Sequence, residues 1–280
     1  MALTRIVLLY ALMLLSPALA PARAAEVETE RMTWVEIRDA VKTGKTTLII
    51  PTGGTEQNGP HMVTGKHNII VREMARRIAV ELGDALVAPV MAYTPEGDIA
   101  KREGHMAYPG TISVPPDVYA RVLEAAATSF AVHGFTFIVF LGDSGPNQAP
   151  QQAVAADLSR RWAADGVRVM NADTYYAANG GAEMLKAEGE TDAAIGTHAS
   201  IRDTSELIAV YPEGVRFDRR VADKDGVVGD PSRATALRGA KLLDLKILAA
   251  LEDIKTGRKA TPAQAASESF FARLWRWVFS

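Results

Sequence analysis

Residues 135–141, FTFIVFL, constrain the fold of this chain more than any other stretch. Aromatic and β-branched residues run on without polar alternation, the pattern of a strand buried on both faces. Such a strand needs helices on either side, and the rest of the chain offers them. Residues 33–42 place Trp34, Ile37 and Val41 on one helical face, with Thr33 and Glu36 at capping-box spacing and Gly44 as a stop. Residues 68–83 carry Ile70, Met74, Ile78 and Leu82 at helical spacing, closed by Gly83. Pro115-Pro116-Asp117 opens a third helix, to His133. Residues 149–165 and 233–255 read as two more, and 174–190 as a loop and helix. Short apolar runs at 47–51, 86–90 and 167–171 read as further strands. This alternation predicts an α/β fold, a three-layer αβα sandwich with a mostly parallel central sheet.

The chain has 280 residues and a net charge of -2. That length suffices for one large domain, and the charge gives no reason to expect a nucleic-acid partner, which calls for a basic stripe. With no cysteine, neither a disulfide framework nor a thiolate ligand is available. Residues 1–25 carry one positive charge between Met1 and Arg5, continue as an apolar run from Ile6 to Ala20, and end in Ala22-Arg23-Ala24-Ala25. They read as a secretory signal peptide, cleaved near Ala24 or Ala25, which implies an exported, periplasmic or secreted protein. One domain is expected over residues 26–258. The tail, 259–280, sets Phe270, Phe271, Trp275 and Trp277 beside Arg273 and Arg276. That composition suits contact with a membrane surface, or cover for an apolar patch on a neighbouring subunit.

Chemistry-bearing residues follow the strands. After residues 47–51, Gly53-Gly54 lead into Glu56, Asn58, His61 and His67, expected on one loop. Loops at the carboxyl ends of parallel strands are where α/β proteins bind ligands. A carboxylate and two imidazoles there are candidate metal ligands or acid/base groups; the competing reading is a polar turn satisfied by its own histidines. His105 precedes Pro109-Gly110-Thr111-Ile112-Ser113. The central strand delivers Gly142-Asp143-Ser144-Gly145-Pro146-Asn147, and His198 precedes Asp203-Thr204-Ser205. His133 reads more simply as a helix-end dipole partner.

These motifs, with Gly226-Val227-Val228-Gly229-Asp230-Pro231 and Ala234-Thr235-Ala236, resemble the creatininase (creatinine amidohydrolase) family from about Trp34 to about Leu251. Glu56, Gly59, Pro60 and His61 match its opening E-x-H-G-P-H pattern. Asn58 stands where the family has a metal-binding His, His67 where it has a metal-bridging Asp, and Ser144 where it has another ligand His. Pro146 also replaces a ligand found in the creatininases proper. His198 matches the position of the catalytic His, and Asp203 replaces a Glu. The resemblance implies the αβα architecture, a homo-oligomer (often a hexamer), a small-molecule substrate and divalent metal, zinc or manganese. A neutral imidazole has one free lone pair and cannot bridge two metals as a carboxylate does.

Three readings follow. One divalent ion per chain is held by Glu56 and His67 with Asp203 or Asp143, in an exported hydrolase of a small cyclic or linear amide. Alternatively the pocket works without metal through Glu56, His67, His198 and Asp203, with Ser144 a nucleophile if a His lies beside it. Or the fold is retained as a non-catalytic small-molecule binder. The expected catalytic groups are His198, Glu56 and His61, and Asn58, His105, Ser144 and Asn147 are expected around the substrate.

Overall fold

The structure is a computed structural model and describes residues 26–219 and 225–259. The expected leader and the aromatic C-terminal segment lie outside the described residues. Four strands, β1 (Thr47–Thr52), β2 (Ala85–Val87), β3 (Phe137–Gly142) and β4 (Arg168–Asn171), form a parallel sheet of order β2-β1-β3-β4. The helices are α1 (Trp34–Lys42), α2 (Lys66–Leu82), α3 (Pro116–Ala131), α4 (Gly145–Arg161), α5 (Asp173–Tyr176), α6 (Gly181–Ala187), α7 (Asp192–Ile195), α8 (Ile201–Val210) and α9 (Ala236–Lys259). No helix among the described residues is long and apolar enough to cross a membrane.

The strands divide their side chains between two cores. Leu48 and Ile50 of β1 and Ile138 and Phe140 of β3 share a core with Tyr119 and Leu123 of α3 and Leu158 of α4. Ile49, Val139 and Leu141 belong to the other core, with Ile70, Met74 and Ile78 of α2 and Leu242, Leu243 and Ile254 of α9. A two-residue period with both faces apolar is what a sheet between two helical layers requires. Each such side chain, fully buried, stabilises the fold by about 1.5–3 kcal/mol.

Helix ends follow local chemistry. Thr33 Oγ1 accepts the Glu36 N–H at 3.3 Å, and Glu36 Oε2 accepts the Thr33 N–H at 2.7 Å, completing the expected capping box of α1. Gly83 closes α2 in the left-handed region, at φ 77°. Two of the helix starts that differ from expectation bear on the site. α2 begins at Lys66, so His67 sits in the first turn of a helix rather than on the loop. α4 begins at Gly145, four residues before the expected start, because Pro146 in a first turn lacks only an N–H that would have no helical partner.

The sheet order places the functional loops. β1 continues to β2 on one side, and the chain then returns past β1 to form β3 on the other. The switch point therefore lies between β1 and β3, where open α/β sheets have their crevice. These two strands pair from Thr47↔Phe137 to Thr52↔Gly142, so they end side by side.

Candidate active site

The loop after β1 is held by close backbone contacts. A Cβ on Gly53 would fall 2.8 Å from the Asn68 Cα, so only glycine fits there. Asn68 Oδ1 accepts the Gly54 N–H at 3.0 Å. Asn147 Nδ2 donates to Thr52 Oγ1 at 3.1 Å and to Gly53 O at 2.7 Å, while Asn58 Nδ2 donates to Glu56 O at 3.0 Å. Asn58 and Asn147, expected around the substrate, are thus buried braces of the loop that presents Glu56. His61 is completely buried, with Nε2 2.9 Å from Thr204 Oγ1. It ties the loop to α8 and is not among the residues that line the cavity.

A cavity of about 280 Å³ opens at the switch point, lined by Glu56, Lys66, His67, His105, Asp143, Ser144, His198, Arg202, Asp203 and Lys246, among others. Through one half of it runs a ladder of alternating charge. His67 lies between two carboxylates, with Nδ1 2.9 Å from Asp143 Oδ2 and Nε2 2.9 Å from Glu56 Oε1. Burial and the nearby Lys66 charge oppose the imidazolium, but the two carboxylates outweigh them and raise its pKa to about 9. Asp143 Oδ1 accepts from Lys246 Nζ at 2.6 Å and from the Tyr175 hydroxyl at 2.8 Å. Lys246 also donates to Glu206 Oε2 at 3.0 Å, and Arg202 Nε lies 3.4 Å from Glu206 Oε1. Beside the ladder, Lys66 Nζ donates to Asp203 Oδ1 at 2.8 Å, while Asp203 Oδ2 caps α8.

Of the four expected metal ligands, His67, Asp143 and Asp203 are therefore committed to partners within the protein. A doubly protonated imidazole has no lone pair for a metal. Burial pushes the Glu56, Asp143 and Asp203 carboxyls upward, but the adjacent cations prevail and hold all three well below the usual carboxylate range.

The other half gathers a different set. Glu56 Oε2 lies 3.2 Å from His105 Nε2, and Glu56 Oε1 lies 3.7 Å from His198 Nδ1. One ligand atom from each of Glu56, His105 and His198 falls within 4.8 Å of the others. Burial lowers the pKa of both histidines, and the Lys66 charge adds to it at His198, so both are neutral at pH 7. His198 is placed by backbone bonds in both directions with Val228. Gln57 orients both rings. Its backbone oxygen lies 2.9 Å from His198 Nε2 and its side-chain Nε2 lies 3.1 Å from His105 Nδ1. Its Oε1 accepts the Gly59 N–H at 2.8 Å. Near Glu56, burial first, then a hydrogen bond with Glu56 and the Glu56 charge raise the Glu96 carboxyl to about 8, so it is a neutral acid at pH 7. Ser144 has no hydrogen bond to a histidine among the described residues, so a Ser–His nucleophile is not formed.

Residues 30–254 match the creatinine amidohydrolase (creatininase) family. The chain belongs to that family. The mycofactocin precursor peptide peptidase of Mycolicibacterium smegmatis is 26% identical over 70% of this chain and 78% of its own length. The 3-dehydro-scyllo-inosose hydrolase of Thermotoga maritima is 26% identical over 68% of this chain and 58% of that protein. The creatinine amidohydrolase of Pseudomonas putida is also 26% identical, over 68% of this chain and 74% of its own. A crystal structure of creatinine amidohydrolase superposes with a TM-score of 0.68 at 22% identity, covering 84% of this chain and 99% of the other. A manganese form of creatininase gives the same score and identity, covering 84% and 100%. Family neighbours thus bind zinc or manganese, and this creatininase-fold chain places one candidate ligand group at Glu56, His105 and His198.

Sequence reasoning missed Lys66, Lys246, Glu206, Gln57 and Glu96. One signal was available: Lys246 occupies the same helical face as Leu242, Leu243 and Ala250, where an unpaired lysine would be costly. Nothing in the local pattern singled out Glu206 or Glu96.

Proposed function

We propose that this creatininase-family protein hydrolyses the C–N bond of a small amide, with one divalent ion held by Glu56, His105 and His198. The observation that carries this reading is the convergence of one carboxylate and two neutral imidazoles at the cavity wall, a set that suits zinc or manganese with an open position for water. A metal held there would polarise a bound carbonyl and lower the pKa of a bound water. The protein's own groups prepare the site. His67 keeps Glu56 ionised, the Gln57 backbone carbonyl accepts a hydrogen bond from His198 Nε2–H and leaves Nδ1 facing Glu56, and neighbouring Glu96 stays neutral. Already protonated at pH 7, His67 orients Glu56 and does not serve as a base.

The balanced charge of the cavity favours a second reading, a metal-free binding protein. Glu56, Asp143, Asp203 and Glu206 each already face a cation of the chain. Elemental analysis separates the two. The purified protein is expected to hold about one equivalent of zinc or manganese, and a Glu56→Ala, His105→Ala variant none. Metal-dependent release of amine from a panel of small cyclic and linear amides should accompany the bound ion. No metal after reconstitution with either ion would overturn the hydrolase reading and leave the binder.

A further inference from the structure

The N-terminus of α4 opens into the cavity at Ser144-Gly145, both of which line it. Ser144 is only 1% exposed, yet its hydroxyl makes no capping bond to the helix and has no hydrogen-bond partner among the described residues. A buried hydroxyl at an N-cap normally satisfies a first-turn N–H. This one is left to face the cavity. Gly145 is the first helical residue, so its N–H has no carbonyl one turn earlier within the helix. The Tyr176 hydroxyl packs against the same point: a Cβ on Gly145 would lie 3.0 Å from it. That hydroxyl also has no partner among the described residues, and burial raises its pKa, so it keeps its proton as a donor. Gln148 holds the turn in place by donating to Gly142 O at 2.9 Å and Ser144 O at 3.0 Å.

We propose that Ser144 Oγ, Gly145 N–H and Tyr176 Oη form an anion subsite that takes the carboxylate of a small substrate. Three neutral donors at the positive end of a 17-residue helix suit a monoanion. The cations around the cavity do not compete for it, because Lys66, Lys246 and Arg202 are engaged by Asp203, Asp143 and Glu206. Asp143, the preceding residue, is already neutralised by His67 and Lys246 and does not repel the ligand. The inference deepens the hydrolase reading by naming its substrate class, amides that carry a carboxylate, but the subsite itself needs no metal.

The test therefore uses the full-length protein after chelator treatment. Binding of N-acetylglycine and of its neutral analogue N-acetylglycinamide is measured by ligand-observed NMR titration. N-acetylglycine is expected to bind about tenfold more tightly than the amide. Ser144→Ala and Tyr176→Phe should each erase most of that preference while leaving the weak binding of N-acetylglycinamide unchanged. Unchanged circular dichroism separates this result from misfolding. Equal affinity for the two probes, no detectable binding of N-acetylglycine, or variants that keep the full preference would each overturn the subsite. Loss of the hydrolase reading through failed metal uptake would leave these titrations unaffected, so the two failures are distinguishable.

Discussion

One cavity contains two halves with opposite electrostatic solutions. In the first, Asp143 and Glu206 share Lys246, Glu206 also faces Arg202, and Asp203 has Lys66. In the second, Glu56 faces two neutral imidazoles across 3.2 and 3.7 Å. His67 stands at the boundary, with one nitrogen turned to each half. The contrast separates carboxylates that the chain neutralises itself from the candidate ligand group at Glu56, His105 and His198. The chain supplies its own positive charge to the first half, where each carboxylate already pairs with a lysine. The second keeps the donor set proposed for an ion, which His105 joins once its proton moves from Nε2 to Nδ1.

Breaking the closed half should have the largest effect. Lys246→Met removes the ammonium shared by two buried carboxylates and leaves Glu206 with only the longer Arg202 contact. Loss of one partner from a buried ionic network costs about 3–5 kcal/mol, and denaturant unfolding curves should show a loss of that size. The matching change in the open half, His105→Ala, removes a partly exposed ring that carries no charge. Metal-free His105→Ala protein should unfold within about 1 kcal/mol of the parent while failing to take up zinc. Similar stability losses from both variants would erase the distinction between the halves.

The boundary residue gives a pH signature of somewhat smaller size. His67 moves from 6.5 to about 9 on folding. Its stabilising contribution is complete below pH 6.5 and is lost as the pH rises through 9, a change of about 3 kcal/mol. Glu96, raised from 4.5 to about 8, acts in the same direction over a lower window. Metal-free protein should therefore lose stability steadily between pH 6.5 and 9, measured by urea midpoints at fixed ionic strength. In His67→Asn the upper part of that slope should disappear. A flat profile in the parent would show that His67 is not held as a cation.

The fold was more legible than the site, for a physical reason. Residues 135–141 and the helical stripes announce burial, and burial is what decides layers in an α/β sandwich. The strands predicted at 47–51 and 167–171 lie within a residue or so of β1 and β4. Site residues behave differently because their roles depend on partners distant in the chain. His67 and Asp143 are 76 positions apart, and Lys246 and Asp143 are 103 apart, so spacing alone carries no trace of either pair. The motifs did lead to Glu56, His105 and His198, yet the sequence reading assigned His105 to the substrate and His67 to the metal. An imidazole reads the same in either role until the groups beside both ring nitrogens are known. Lys66 and His67 are adjacent in sequence, yet their side chains serve different carboxylates, Asp203 for one and Glu56 with Asp143 for the other, which adjacency alone does not reveal.

Gln57 offers the finest test of the open half. The Gly59 N–H donates to Gln57 Oε1, which turns the amide NH₂ toward His105 Nδ1. With Nδ1 accepting, the ring carries its proton on Nε2, which lies 3.2 Å from Glu56 Oε2 without making a hydrogen bond to it. In this arrangement the Nε2 lone pair is not available to a metal, and binding must first shift the proton to Nδ1, opposite an amide donor. Gln57→Glu removes that obstacle. One carboxylate oxygen keeps the Gly59 N–H, and the other accepts Nδ1–H, the second-shell partner that metal-bound histidines usually have. Zinc affinity, measured by competition with a chromophoric chelator, should rise by about tenfold, the low end of what such partners contribute. Gln57→Met, which has neither donor nor acceptor of comparable strength, should fall between the parent and Gln57→Glu. An unchanged affinity in Gln57→Glu would mean that His105 does not bind the ion through Nε2. The open half would then be a hydrogen-bonded cluster around Glu56, and the two halves of the cavity would differ only in the charge of their donors.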